Sequence, residues 1–501
     1  MDLFHRFWRS KNKTSQGDLL FGRNFRQITT YIDEALADCV DLVKRPFRFC
    51  SGEQGVIYSI DGLIDQDLFQ RDLLPWLLTT PGSRIKDFYS TIPVVSIKQE
   101  TSVNKAVNSL FTGFVLLVVD GWGFGLLFQL SGWKERPVED SPIERTIRGP
   151  HEGFTENLRT NTALLRRRLS LPQLKFKEYI LGKRSQTRIA VGYLEGIANP
   201  EILSELEAKI QKIDYDAILG AGYIEQLLIE SPYSPFPQYQ STERPDKAAA
   251  SLLEGKLIII VDRTPVVLIA PVNFFAFFQA PDDYYASWIS GSIIRFLRQT
   301  AFFLGVSLPS LYIAVLSFHY EAIPWPILTP LIESRARVPF PPIVEAFFIE
   351  SIFELLREAA IRLPSYIGQA IGIIGGLIIG QAIVATGAVS TIMIIVVGIT
   401  AVSNFVIPAY DMGLAVRVIR FPLMILASLF GIVGSIIGGA ILFTHLLSLE
   451  SLGQPYFMPL APLSIKNLND SLIRAPLFLI NKRPRIARPL DKTRGKGYAD
   501  E

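Results

Sequence analysis

The sequence predicts an α+β N-terminal soluble region, built from two α/β subdomains, followed by an α-helical transmembrane domain. Of the 501 residues, 49% are hydrophobic and only 19% are charged. The charges are spread through residues 1–290, whereas in 300–450 they gather between long apolar runs. One uncharged run, 366–385, is about 30 Å long as a helix, which matches the hydrocarbon core of a bilayer. It carries a glycine at every fourth position: Gly368, Gly372, Gly376 and Gly380.

Shifts in composition divide the chain into six predicted units. Residues 1–22 contain basic residues but no apolar core followed by a small-residue cleavage site, so no secretory signal is predicted and the soluble region is expected to begin in the cytoplasm. The units are an N-terminal tail (1–30), a first cytoplasmic α/β subdomain (31–143), a charged helical connector (144–192), a second cytoplasmic α/β subdomain (193–291), a transmembrane helical domain (292–450) and a basic C-terminal cytoplasmic tail (451–501).

The first subdomain contains a predicted hairpin. Two β-rich apolar runs, 114–120 and 126–130, flank the glycine-rich segment 121–125. Its three glycines invite comparison with a dinucleotide-binding loop, but the third comes one position early and an apolar run follows instead of a clear helix. Turn formation is therefore the favoured interpretation.

The connector is dense in arginine and glutamate between 144 and 169. Two interpretations stay open: a solvated helix with salt bridges along its faces, or an oligomer contact, since arginine side chains suit interfaces. Under the second interpretation, the predicted subunit-interface residues are Arg148, Glu152 and Glu156.

The second subdomain has its own predicted hairpin. Two β-branched runs within 256–269 are interrupted by Asp262-Arg263-Thr264-Pro265. Each run is too short to cross a bilayer as a helix, so a buried pair of strands is expected.

Four membrane spans are predicted, over 300–318, 366–385, 389–408 and 421–447. Arg295 and Arg298 flank the first span, and the segment after the last one is rich in Lys and Arg. Because positive residues favour the cytoplasmic side, both termini are expected there. A short apolar segment, 324–331, is a candidate for re-entering the membrane without crossing it.

An amphipathic helix is predicted over 342–363, with Glu350, Glu354 and Glu358 on one face. These carboxylates are either a pore mouth that concentrates cations or an ordinary solvated face. Arg357 and Arg362 lie within reach of Glu354 and Glu358, so part of the charge is expected to be balanced locally.

The glycine stripe of 366–385 also has two interpretations. Small residues at this spacing serve helix packing in any membrane bundle. Alternatively, the helix belongs to a ring around a pore, with Ile374 and Ile378 among the side chains that form an apolar constriction. A similar stripe, Ala427, Gly431, Ser435 and Gly439, lies in the last span, so small-residue spacing alone does not identify the pore.

Composition argues against several other classes of protein. The net charge of +3 is too small to indicate nucleic-acid binding. Two cysteines and four scattered histidines do not have metal-ligand spacing. No nucleophile elbow, phosphate loop or paired-carboxylate motif supports an enzyme, so neither a catalytic residue nor a cofactor is predicted.

Several segments together form a specific pattern, and the chain resembles the A subunit of GerA-type spore germinant receptors over nearly its full length. The segments are 148–156 (RGPHEGFTE), 193–198 (YLEGIA), 225–237, 261–265, 335–342, 355–364, the glycine helix through Pro408, and Gln454-Pro455-Tyr456 with Pro459 and Pro462. The resemblance implies a protein of the spore inner membrane that acts with a transporter-like B subunit and a lipoprotein C subunit to sense nutrients and start germination.

The resemblance further implies that A subunits assemble as a homo-oligomeric ring forming a ligand-gated ion channel, while the B subunit binds the nutrient. Membrane lipid is then the remaining expected partner. Two alternatives stay open. A solute transporter would need a polar mid-membrane site. The two middle spans offer modest candidates for it: Gln369, Gln381, Ser390, Thr391, Thr400, Ser403 and Asn404. A scaffold would recruit germination partners through its soluble half and use its membrane half only as an anchor.

Overall fold

The computed structural model describes residues 19–22, 24–79, 96–132, 144, 146, 148–362, 380–464, 468 and 470–495. Within these residues, two five-stranded antiparallel sheets precede a bundle of apolar helices, and a C-terminal segment returns to the second sheet. The predicted fold class, a soluble α+β region of two subdomains followed by an apolar helical domain, is confirmed.

The first sheet has the strand order β1-β2-β4-β5-β3. Its elements are α1 (Phe25–Ala35), β1 (Leu42–Arg48), β2 (Gln54–Ile60), α2 (Gln66–Leu68), a π-helical turn (Phe69–Leu73), α3 (Leu74–Thr79), β3 (Ile97–Glu100), α4 (Val103–Leu110), β4 (Phe114–Val119) and β5 (Gly125–Gln129). The predicted hairpin is β4 with β5, in which Leu117 pairs with Leu126. Because a strand follows the glycines directly, their segment is a turn, with Gly121 at φ 81°.

The central strand β4 explains the long apolar run in this subdomain. Val115 and Leu117 pack into a core on one face of the sheet, while Leu116 and Val118 pack into a second core on the other face. A strand that is covered on both faces needs apolar side chains at consecutive positions, not only at alternate ones.

The second sheet has the order β6-β7-β9-β10-β8. Its elements are α5 (Leu158–Arg168), β6 (Leu174–Leu181), β7 (Thr187–Leu194), α6 (Pro200–Gln211), α7 (Ala221–Leu228), β8 (Gln240–Thr242), α8 (Pro245–Leu253), β9 (Leu257–Val261), β10 (Val267–Ala270), a 3-10 turn (Phe274–Phe278) and α9 (Asp282–Tyr285). The predicted hairpin is β9 with β10, and Arg263 takes a positive φ of 67° in its turn.

The second sheet begins earlier than the sequence predicts. Strands β6 and β7 lie inside the segment 144–192 that was expected to be a helical connector, and α5 is its helical part among the described residues. In β6, Leu174 and Phe176 are buried in the same core, which is the two-residue period of a strand. Gly182, at φ 86°, then starts the tight turn into β7.

The helical region contains α10 (Trp288–Phe318), α11 (Trp325–Arg335), α12 (Pro342–Arg362), α13 (Gly380–Ala385), α14 (Thr391–Val406) and α15 (Tyr410–Ser448). By length and composition, α10 and α15 could cross a membrane, and α14 is a shorter apolar helix of 16 residues. Helix α10 begins well before the predicted residue 300, capped by Ser287, so Arg295 and Arg298 lie inside it and are buried. Of the predicted span 366–385, the described residues are those of α13.

Helix α15 reverses direction at Gly431, which corrects the single span predicted over 421–447. Gly431 has φ 62° and ψ −140°, outside the helical region. A Cβ on Gly434 would overlap the carbonyl oxygen of Leu426, and one on Gly438 would overlap the side chain of Leu423. Residues 8 and 15 positions apart would be separated by about 12 and 22 Å in a continuous helix. Residues 410–430 and 432–448 are therefore two antiparallel legs that cross closely at glycines.

The C-terminal segment packs against the second subdomain. It begins with the short strands β11 (Glu450–Ser451) and β12 (Gln454–Pro455) and contains a 3-10 turn (Leu477–Leu479). The backbone N–H of Leu490 donates to the carbonyl of Ile197 at 2.9 Å, and Arg494 pairs with Glu254. The described part of the predicted basic tail thus forms part of the folded soluble region.

Candidate functional site

Helix α12 places Glu345, Glu350 and Glu354 against its neighbours in the helical bundle. The most deeply buried of their ion pairs joins Glu350 Oε2 to Arg420 Nη1 at 2.6 Å, and both side chains are at most 3% exposed. Arg420 Nε also donates to the carbonyl of Gly305 on α10 at 2.9 Å. One buried pair therefore joins α10, α12 and α15, and loss of either partner would leave an uncompensated charge among apolar helices.

Glu354 lies one turn further along α12 and binds two arginines. Its Oε1 accepts from Arg357 at 2.9 Å, and its Oε2 accepts from Arg417 at 3.0 Å. The Arg357 guanidinium also lies over the ring of Phe405 on α14, 4.8 Å from the ring centroid. Arg417 and Arg420 are three residues apart on α15, so the same helix face reaches both Glu354 and Glu350.

Glu345, near the start of α12, connects two further helices. It is fully buried, pairs with Arg335 of α11 at 2.9 Å, and accepts the backbone N–H of Ser390 at 2.6 Å. Ser390 is the N-cap residue of α14. Glu345 therefore fixes the start of α14 relative to α11 and α12.

The three glutamates predicted to share a pore mouth lie in different surroundings. Glu350 is buried, Glu354 is partly exposed, and Glu358 is an exposed partner of Arg362 four residues away on the same helix. Each carboxylate is bound to at least one arginine of the same chain, including the predicted contacts to Arg357 and Arg362. The pore-mouth role of these residues stays a prediction.

A second charged cluster holds the base of α10 to the soluble region. Asp283 accepts from Arg298 at 2.8 Å and lies 3.6 Å from Arg295 Nε, while Arg295 also pairs with Asp470 at 3.1 Å. The Tyr284 hydroxyl donates to Asp470 at 3.1 Å. This cluster ties the first apolar helix to both α9 and the C-terminal segment.

Both ends of the α15 hairpin contact the second subdomain. At its start, the Ser241 hydroxyl donates to Asp411 at 2.9 Å, and near its end Ser234 Oγ lies 2.8 Å from His445 Nε2. Burial, together with the nearby charge of Asp411, raises the pKa of Glu225 on α7 to about 7. The tip of the hairpin lies far from these contacts. At the tip, Gly431 packs against Phe318 and His319 at the end of α10.

The predicted interface residues have contacts within this chain. The Arg148 backbone N–H lies 3.4 Å from Asp282 Oδ1, and Glu152 pairs with Arg168 at 2.6 Å. The carbonyl of Glu156 accepts from the backbone N–H of Arg263 at 2.7 Å. These contacts hold the loop before α5 against the second subdomain, and a role between subunits stays a prediction.

The predicted pore helix lies largely outside the described residues, including Gly368, Gly372, Ile374, Gly376 and Ile378. Gly380 is the first residue of α13, and a Cβ there would have no described atom within 4 Å. The pore and packing roles of this stripe stay predictions.

A family model described as "Bacillus/Clostridium GerA spore germination protein" matches residues 30–486. The chain belongs to the GerA family. Spore germination protein KA of Bacillus subtilis (strain 168) is 40% identical to this GerA protein over 472 residues, which is 92% of this chain and 86% of that one. The uncharacterized membrane protein YfkQ of the same organism is 40% identical over 450 residues, covering 89% and 88% of the two chains.

Among solved structures, the N-terminal domain of the A subunit of the Bacillus megaterium spore germinant receptor GerK3 is 29% identical. It covers 52% of this chain and 99% of that chain, with a TM-score of 0.39. The resemblance predicted from the sequence motifs is confirmed by the family match and by the relatives. The apolar helices and the relative named as a membrane protein support membrane association of this GerA protein.

Sequence analysis missed three of the five ion pairs described for α12 in this GerA protein. It identified the acidic face of α12 but not Glu345, Arg417, Arg420 or Asp411. A usable signal was present, because Arg417 and Arg420 are the last Lys or Arg residues before the long apolar stretch of α15. Charged residues that remain next to an apolar span at helical spacing usually have a partner inside the protein.

Proposed function

We propose that this GerA protein is the A subunit of a spore germinant receptor, a membrane oligomer that responds to nutrients and forms the ion-conducting part of a ligand-gated channel. The observation that carries the proposal is the α15 hairpin. Both of its ends contact the second soluble subdomain, through Asp411 and His445, while Arg417 and Arg420 bind α12 within the bundle. These contacts support the proposal because they give a movement of the soluble subdomain a direct route to the helices.

In the proposed mechanism, a transporter-like B subunit binds the nutrient, and a lipoprotein C subunit completes the receptor. Nutrient binding shifts a closed-to-open equilibrium only if the partner binds the two states of this chain with different affinity. The second subdomain is the part of this chain through which the partner's different affinity for the two states acts on α15. Neighbouring A subunits then rearrange together around the pore formed by the glycine helix.

The proposed location is the spore inner membrane, with both termini on the cytoplasmic side. The start of α10 and both ends of α15 lie against the soluble region. The soluble N-terminal region and the C-terminal segment consequently lie at the same end of the bundle, as expected if both are cytoplasmic.

The test is ion flux in liposomes or vegetative cells that contain this chain with its partner subunits. Ile374→Asn and Ile378→Ser introduce polar groups where an apolar gate is proposed, so we expect ion leakage without nutrient. Ile436→Asn, at a position on α15 that is 64% exposed, is the matched control and should leave the flux unchanged. Correctly assembled complexes that conduct under no condition would overturn the channel function and favour a membrane-anchored scaffold.

A further inference from the structure

A cavity of about 780 Å³ opens between α12, the end of α14 and the first turns of α15. Its wall includes Arg357, Arg417, Asn404 and Phe405, together with Ile361 and Tyr410. Phe405 and Ile361 are 72% and 57% exposed, so the cavity is open to the outer surface of the bundle. It combines a wall that carries arginines, on α12 and α15, with an apolar mouth.

The position of the cavity along the helices corresponds to a membrane interface. Helix α10 has no Asp, Glu, Lys or Arg after Arg298, and α15 has none after Arg420. Both helices start at the soluble region, so these last charged turns mark the level at which the apolar layer begins. Arg298 and Arg417 both line the cavity, which places it at the depth of lipid phosphates.

The cationic wall of the cavity is formed by two arginines that share one carboxylate. The side chains of Arg357 and Arg417 are 13% and 14% exposed, and both bind Glu354. The neighbouring pair of Glu350 and Arg420 is balanced one to one, so this side of the cavity carries one surplus positive charge. On the opposite side, Glu144 is neutralised by Lys247 at 2.5 Å, whereas the Asp282 carboxylate adds a negative charge, so the surplus positive charge is local to the wall formed by α12 and α15. Arginine guanidinium groups match the geometry of phosphate oxygens well.

Asn404 supplies a second polar feature on the cavity wall. Its side chain is 8% exposed, and its Oδ1 has no hydrogen-bond partner among the described residues. Leaving a buried acceptor unsatisfied is unfavourable, whereas a hydroxyl group of a bound molecule would satisfy it. The cavity thus presents guanidinium donors and an amide acceptor to the same occupant.

We propose that this cavity binds an anionic glycerophospholipid whose headgroup carries a hydroxyl, as phosphatidylglycerol does. The phosphate binds Arg357 and Arg417, a headgroup hydroxyl donates to Asn404, and the acyl chains leave the cavity past Phe405 and Ile361. The lipid would bridge α12 and α15, the two helices joined by the Glu354 ion pairs.

The test uses the full-length chain, delipidated in a neutral detergent. Each lipid is then added back, and native mass spectrometry measures how much of it binds. We expect phosphatidylglycerol to bind at least tenfold more tightly than phosphatidylcholine, which has no net charge. Arg357→Gln removes one charge-assisted contact and should weaken phosphatidylglycerol binding by about tenfold, while Glu354 keeps Arg417 as its partner. Arg362→Gln is the control, because Arg362 is on the same helix, is 76% exposed and pairs with Glu358 four residues away.

Two further measurements separate the possible ligands. The wild type should prefer phosphatidylglycerol over phosphatidylmethanol, a phosphodiester lipid of the same charge that lacks a headgroup hydroxyl. Asn404→Ala should abolish this preference and retain the discrimination against phosphatidylcholine. Arg357→Lys keeps the charge and should bind with intermediate affinity. Size-exclusion chromatography and circular dichroism establish that each variant is folded.

Three outcomes would overturn the proposal. Equal binding of phosphatidylglycerol and phosphatidylcholine would show that the arginines do not select the headgroup. Inorganic phosphate that displaces the lipid at similar concentration would make the cavity a general anion site. Absence of bound lipid, combined with disulfide cross-linking of Phe405→Cys between copies, would assign the cavity to a second copy of this chain.

Discussion

The ion pair between Glu350 and Arg420 is the most deeply buried charge contact between α12 and α15. The two residues are 70 positions apart in the sequence, and Arg420 also binds the carbonyl of Gly305. Both of its side chains are at most 3% exposed, whereas those of Arg362 and Glu358 are 76% and 58% exposed. The two pairs offer a matched comparison on one helix.

Glu350→Ala is expected to destabilise the helical bundle by about 3–5 kcal/mol, because Arg420 would be left buried without its partner. Glu358→Ala, which removes the exposed pair, should change stability by less than about 1 kcal/mol. Thermal unfolding of the full-length chain in detergent measures both. If the two variants unfold at the same temperature, the buried pair does not hold the bundle together.

Glu225 provides a pH dependence at the contact between the second subdomain and α15. Its pKa in the folded protein is about 7, above the ordinary value of 4.5, because of burial and the nearby Asp411. The folded state therefore binds more protons than the unfolded state between these values, and stability decreases as pH rises through this window. Raising the pH from 5 to 8 should cost roughly 2 kcal/mol.

Glu225→Gln should remove this pH dependence, since glutamine cannot ionise. The variant is expected to be more stable than the wild type at pH 8 and similar to it at pH 5. Unfolding midpoints at the two pH values make the comparison, and Glu201→Gln, on the separate helix α6, is the control. If the unfolding midpoint of the wild type is not lower at pH 8 than at pH 5, the raised pKa of Glu225 is contradicted.

At the scale of elements, Gly431 is the residue that turns α15 into a hairpin. Its φ of 62° is in a region that side-chain-bearing residues rarely adopt, and a Cβ there would lie 2.9 Å from His319 and 3.1 Å from Phe318. Gly439 in the same element has no described atom within 4 Å of a Cβ position. These two glycines therefore differ in whether a methyl group can be accommodated.

Gly431→Ala is expected to destabilise the chain by about 1–3 kcal/mol through backbone strain and crowding at the hairpin tip. Gly439→Ala should be neutral or slightly stabilising, because alanine favours helix more than glycine does. Thermal unfolding in detergent, with the yield of monodisperse protein as a second readout, distinguishes the two. Equal tolerance of both substitutions would argue for a continuous helix through residue 431.

At the scale of the whole molecule, Arg166 joins the two soluble subdomains. It is fully buried and binds Asp41 in a bidentate manner, with distances of 2.7 and 2.9 Å. Its guanidinium carbon lies 4.8 and 5.1 Å from the ring centroids of Phe111 and Phe176. One side chain of α5 thus contacts both subdomains.

Asp41→Ala should uncouple the subdomains and cost about 3–5 kcal/mol, because it leaves Arg166 buried without a counter-charge. Limited proteolysis should then release the first subdomain earlier than in the wild type. Asp61→Ala is the control, since the partner of Asp61, Arg159, is 68% exposed and its loss should have little effect. An unchanged cleavage pattern in Asp41→Ala would mean that other contacts hold the subdomains together.

The sequence by itself determined the features that depend on near neighbours in the chain. Short β-rich apolar runs and turn residues located the hairpins β4–β5 and β9–β10, helical periodicity located α12, and the combined motifs identified the family. Apolar runs identified the helical half, although the bounds of α10 and α15 were wrong because charged and polar residues extend both helices into the soluble region.

The tertiary structure alone decided which distant groups meet. Nothing in the local sequence pairs Arg420 with Glu350 or Arg166 with Asp41, because such partners are set by how separate elements pack. The same holds for the reversal at Gly431, since its small-residue stripe fits a continuous helix equally well until the contacts of Leu423 and Leu426 are known. Periodicity reports which face of an element is buried, whereas the long-range contacts of the folded chain decide what covers that face.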